Sequence, residues 1–196
     1  MKTRFDSSGN SFLRIVGLGV LAGLAVVFFL AIPDHPLWGF HRWSAATFGF
    51  WMCSTSRIVL TSKTRTCGAI HAGLYIFLMF LITTAGQSVL LFQSGGTPFA
   101  SLPELAAHSV PGWLLYSLPP AMLCAALGAV LWSGRKPTMW GRLLRILPAC
   151  FLLAETALLV ADLLTHGTNL FSVLTDLGCL IWYPAASFQK NFERNT

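Results

Sequence analysis

The chain has 196 residues, of which 55% are apolar, 13% aromatic and only 10% charged, with a formal net charge of +6. Soluble domains carry about 25% charged residues, so this chain has too few charges to wet the surface of a water-soluble fold. Its Leu, Phe and Val content excludes disorder equally, and what remains is an all-α membrane protein, a polytopic helical bundle with lipid as its solvent.

In chain order, residues 15–32 give 18 uncharged positions, about 27 Å as a helix and close to the ~30 Å hydrocarbon core. Lys2, Arg4 and Arg14 precede this run, so a secretory signal peptide competes with a retained helix. The run exceeds the usual h-region of about 7–15 residues and no clean A-x-A site follows, which favours a retained span. Within it Gly19 and Gly23 form a G-x-x-x-G face that lets another helix approach closely. Residues 43–60 are apolar but include Ser, Thr and Arg57, and read as a sixth short span or as an interfacial helix. Strong apolar runs follow at 68–92, 112–132, 143–164 and 170–186. The expected organisation is an N-terminal membrane hairpin over 1–66 and a four-helix membrane core over 67–196.

Charge placement arbitrates the topology. Lys and Arg fall in clusters between the apolar runs, at 63–65, 135–145 and 190–194, which is the positive-inside pattern rather than a nucleic-acid surface. With six spans and the N-terminus in the cytoplasm, 12 basic residues lie inside and only Arg42 outside. If 43–60 does not cross, the split becomes 10 against 3. Six spans fit better, with about five as the alternative, and both place the C-terminus in the cytoplasm. Gly95-Gly96-Thr97-Pro98 breaks the chain after the third span, the loop 94–111 carries no Lys or Arg, and Gly167 and Asn169 make a tight outer turn. Pro119-Pro120 should kink the fourth span. Trp38, Trp43, Trp113, Trp132, Trp140 and Trp182 sit near the expected boundaries, where indole prefers the headgroup level.

The last four spans combine a basic turn at 135–145, an acidic residue late in the next helix (Asp162), and an ending of Ile181-Trp182-Tyr183-Pro184, then Ser187, Lys190, Asn191 and Phe192. Over residues 68–195 this resembles a family of four-helix bacterial inner-membrane proteins of unassigned function. The resemblance implies a bacterial inner membrane and a four-helix core, and carries over no catalytic residue. The N-terminal 66 residues depart from the family pattern.

Ionisable groups at membrane depth cost about 2.5–3.5 kcal/mol on insertion scales and are functional candidates by default. Glu155 lies near the middle of the fifth span, Asp162 seven residues on along the same face, and Asp176 in the outer half of the last span. Gln87, Thr83 and Thr84 add hydrogen-bonding groups in the third. These residues form a polar seam for protons or a small cation, or hydrogen-bond the helices together, or pair with a basic residue of another subunit. His35, His41, His108 and His166 fall outside with Asp34 and Glu104, an arrangement for pH sensing or a metal, but without H-x-x-x-H or H-E-x-x-H spacing. His71 stands at the opposite end of its span, so facing haem ligands are not expected. The five cysteines, Cys53, Cys67, Cys124, Cys150 and Cys179, are unpaired in spacing and read as reduced packing residues. Ser109 beside His108 is the only adjacency resembling a hydrolytic pair.

No catalytic residue, metal or cofactor is therefore expected. The leading expectation is a non-catalytic accessory or partner-binding protein of the inner membrane, either a complex subunit or an immunity- or chaperone-like partner of another membrane protein. Its partners would be the lipid bilayer and another membrane protein or a second copy of itself. The alternative is a small proton- or cation-coupled transporter using the intramembrane carboxylates.

Overall fold

The computed structural model describes residues 6–33, 35–40 and 49–187. Every regular element among them is helical: α1 (Asp6–Ala31), α2 (Gly49–Thr61), α3 (Arg65–Gln93), α4 (Leu102–Leu131) with a 3-10 turn at Trp132–Arg135, α5 (Met139–His166) and α6 (Leu170–Ser187). Four stretches are long and apolar enough to cross a membrane: Ser11–Ala31, Arg65–Gln93, Leu102–Arg135 and Met139–His166. Large apolar side chains line the outside, with Leu115 70%, Leu158 73% and Leu164 80% exposed. A perimeter of that kind is stable in hydrocarbon and not in water.

Local chemistry fixes the helix ends. The side chains of Thr64, Ser101 and Thr138 accept the backbone N–H groups of Cys67, Glu104 and Gly141, capping α3, α4 and α5. At α4 the Glu104 carboxylate reaches back 3.0 Å to the Ala100 N–H. These caps explain why α4 begins at Leu102, within the stretch that the sequence reads as a loop ending at Pro111. α4 continues through Pro111, Pro119 and Pro120. Gly167, at φ 65°, ends α5 in the left-handed region that favours glycine.

The helices alternate in direction along the chain. Gly19 of α1 meets Tyr75 and Leu78 of α3, Gly23 meets Met79 and Ile82, and Val27 meets Gly86, so α1 and α3 run parallel. The chain between them must therefore return through the depth of the bundle, and α2 does so. It runs antiparallel to α3, with Trp51 at Phe80 (ring centroids 4.8 Å) and Ser62 at His71. α4 is antiparallel to α3, from Trp113 at Ser88 to Gly128 at Ala72. α6 is antiparallel to α5, with the Tyr183 hydroxyl donating to the Arg145 carbonyl at 3.0 Å.

α2 packs against α3, α4, α5 and α6. Cys53, Ser56, Ile58, Val59 and Leu60 on it are buried. It is about 20 Å long and the most enclosed of the helices. α1 and α2 thus share one core with the helices that follow. Part of the 43–60 segment, and His41 with it, lies outside the described residues.

The two ends of the bundle differ in charge. Lys63, Arg65, Arg135, Lys136, Arg142 and Arg145 gather at one end. There the Arg65 Nε–H donates to the Ala129 carbonyl at 3.0 Å, while Trp132 Nε1 (3.1 Å) and an Arg135 guanidinium N–H both donate to the Ser62 carbonyl. At the far end the loop 35–40 docks on the start of α6, its Leu37 and Trp38 carbonyls accepting the Leu170 and Phe171 N–H groups at 2.9 and 3.2 Å. Phe29, Phe40 and Phe171 pack together over that join, with centroids 4.6–5.6 Å apart.

Candidate functional site

The polar groups singled out from sequence separate into distinct places. Asp162 lies at the far end of α5, where it closes the α5–α6 turn. Its carboxylate accepts the Thr168 hydroxyl at 2.8 Å and the Asn169 side-chain amide, and lies 2.9 Å from His166 Nδ1. Asn169 sits at φ 66°, and Gly39 passes so close that a Cβ there would fall 2.7 Å from Asn169 Oδ1 and 3.1 Å from its Cα. Asp162 is thus the anchor of a clasp between two far-end loops.

Asp176 on α6 is fully buried and lies within electrostatic range of Glu155 on α5. It abuts Gly49, the first described residue of α2, where a Cβ would fall 2.1 Å from Asp176 Oδ1 and 2.5 Å from Leu152 Cδ1. Leu152 is at the middle of α5, so this contact marks mid-depth in the bundle. Neither carboxylate oxygen of Asp176 has a hydrogen-bond partner among the described residues, and the buried Ser172 hydroxyl one turn earlier has none either. The Ser172-x-x-x-Asp176 spacing that stacks them was present in the sequence. The approach of Gly49 had no local signal, because it depends on packing between helices distant in sequence.

Gln87 is elsewhere, on α3. It is exposed in a groove of about 410 Å³ between α3 and α4, with Thr84, Ser88, Ser109, Trp113 and Tyr116. Trp113 Nε1 donates to the Ser88 hydroxyl at 3.0 Å, and the Thr84 hydroxyl donates to the Phe80 carbonyl at 2.8 Å. The Gln87 amide makes no hydrogen bond to another described residue. It sits about 9 Å in from the end of α3, with four apolar residues following Ser88.

The histidines His35, His108 and His166 are at the far end. His108 Nδ1 lies 2.9 Å from the Glu104 carbonyl and its ring stacks on Phe99, while the ring nitrogen of His35 accepts the Leu37 N–H at 3.3 Å. Among the described residues no three His, Cys, Asp or Glu side chains come together as a metal site. Gly19 and Gly23 lie in the α1–α3 contact, so the G-x-x-x-G face is occupied within the chain.

A Cys–His pair that sequence reasoning passed over stands at the basic end. Cys67 Sγ is 3.4 Å from His71 Nε2 and 3.6 Å from Nδ1, with Ser62 Oγ 3.4 Å from Nδ1. A thiol poised for proton transfer lies in line with one nitrogen's lone pair and clearly farther from the other. Near-equal distances place this sulfur off both lone pairs, so the contact is one of packing.

No protein-family model, curated protein or solved structure matches the chain.

Proposed function

We propose that this multi-pass helical membrane protein is a non-catalytic accessory or partner-binding protein of a bacterial inner membrane. It would act as a complex subunit or as an immunity- or chaperone-like partner of another membrane protein. The observation that carries this reading is the Gln87 groove. An amide facing hydrocarbon without a partner costs several kcal/mol, and a hydrogen bond from a second membrane helix removes that cost. Trp113 and Tyr116 beside it offer broad, rigid contact surface, and Tyr116 is 71% exposed. In this reading the chain crosses the bilayer six times, with α2 as a short crossing shielded by its neighbours. The basic end then lies in the cytoplasm with the C-terminus, and the far end outside.

The test is site-specific photo-crosslinking in native membranes. A photoreactive residue at position 116 should capture one membrane polypeptide, and Gln87→Leu should remove that adduct. The same probe at position 158, exposed on α5, should give lipid adducts only. Lipid adducts alone at both positions, with a monodisperse monomer in mild detergent, would overturn the reading.

A further inference from the structure

We propose that Asp176, with the Ser172 hydroxyl one turn before it, binds one small monovalent cation, a proton or a sodium ion, at mid-depth in the bundle. Asp176 is 0% and Ser172 1% exposed, and the oxygens of both lack hydrogen-bond partners among the described residues. Four positions apart on one helix, the two side chains share a face and stack one above the other. A carboxylate removed from water without hydrogen bonds or a counter-charge is among the most expensive groups a fold can hold, and more so within hydrocarbon.

The described titratable groups facing Asp176 are Glu155 on α5, Cys53 on α2 and Cys179 one turn on in α6. Each is neutral or negative when it titrates, so none of these three gives Asp176 a positive partner. A bound cation does. The donors are oxygens, which suits a hard ion rather than a soft transition metal. Asp176 supplies one carboxylate and Ser172 only a neutral hydroxyl, so the ligating pair carries a single negative charge, which a monovalent cation balances. Gly49 brings the α2 backbone directly against this carboxylate, since a side chain there would overlap Asp176 Oδ1 itself. The site does not depend on the partner-binding reading, and Gln87→Leu should leave it intact.

The full-length protein in lipid nanodiscs provides the test. Its melting temperature is followed as sodium replaces choline at constant ionic strength. Its infrared spectrum is followed for the C=O stretch of a protonated carboxyl. With sodium as the occupant, Tm rises by about 5–10 °C at a hundredfold excess over Kd, and Asp176→Asn abolishes the rise. With a proton as the occupant, Tm is indifferent to sodium and the wild type shows a protonated-carboxyl band that Asp176→Asn removes. Should Asp176→Asn fail to fold, Ser172→Ala decides instead: it should weaken sodium affinity about tenfold or displace the carboxyl band by removing one partner. A wild type with neither sodium dependence nor such a band overturns the proposal, as does a Ser172→Ala variant identical to wild type in both.

Discussion

Gly17 and Gly23 lie on the same helix and invite the same substitution with opposite consequences. A Cβ at Gly17 meets nothing within 4 Å, whereas one at Gly23 falls 2.8 Å from Ile82 Cβ and 2.9 Å from the Met79 carbonyl oxygen. Neither of those atoms can rotate away, because one belongs to the α3 backbone and the other is fixed to it. Accepting Ala at 23 therefore requires α1 and α3 to separate by about half an ångström. Alanine gains up to about 1 kcal/mol over glycine within a helix, and overpacking costs about 1–3 kcal/mol. Gly17→Ala should thus be neutral or stabilising, and Gly23→Ala should lie about 1–3 kcal/mol below it. For a chain of this size that separates the two melting temperatures by about 2–12 °C. Tryptophan-fluorescence melts of the purified variants in one detergent measure the difference. Coincident melts would refute the parallel α1–α3 packing, and with it the need for α2 to return through the bundle.

The far-end clasp makes a second prediction. Asn169→Ala should cost about 1–3 kcal/mol, losing the side-chain hydrogen bond to Asp162 at a positive φ that Ala tolerates less well than Asn, while Asn169→Gly relieves the backbone and should cost less; thermal melts in that rank order support the clasp, and the reverse order contradicts it. Sidedness makes a third. In a cysteine-free background, Lys63→Cys and Lys136→Cys should react with a membrane-impermeant maleimide only from the cytoplasmic side, and Glu104→Cys and His166→Cys only from the outside. Labelling of positions 63 and 104 from the same side would contradict a crossing by α3.

Hydrophobicity made much of this architecture legible before any coordinates. The four long helices answer to runs of apolar residues, since a bilayer demands some twenty of them in succession. Capping by Ser101 and Glu104 was equally visible in the residues, yet it extended α4 past an apparent loop, because Pro111 reads as a terminator although a helix within a bundle tolerates it. The polar residues were legible as types and not as neighbours. Asp162 and Glu155 share a helical face, but the α5–α6 turn captures the first through Thr168 and Asn169 and leaves the second within electrostatic range of Asp176. Gln87 fell in with the carboxylates by chemistry alone, and the bundle sends it to a different surface. Helical periodicity states which residues of one helix point together; which helix receives them is decided by packing between distant segments.

The position of α2 follows from the same energetics turned inside out. It is the short helix of the bundle and carries Ser54, Thr55, Ser56 and Arg57, a composition that lipid would penalise. Enclosure by α3, α4, α5 and α6 keeps these groups from lipid, and several hydroxyls find carbonyls, as Ser54 does at Phe50 (2.7 Å) and Ser62, just beyond the helix, at Ile58 (2.7 Å). The longer apolar helices then form the lipid-facing wall, which needs no polar partner. In such an arrangement a polar group left unsatisfied stands out, and Asp176 and Gln87 are two of those among the described residues. Asp176 faces inward against the backbone of α2, shut away from lipid and water, while Gln87 faces outward, where another molecule can reach it. The inner group therefore calls for a cation, and the outer one for a partner helix.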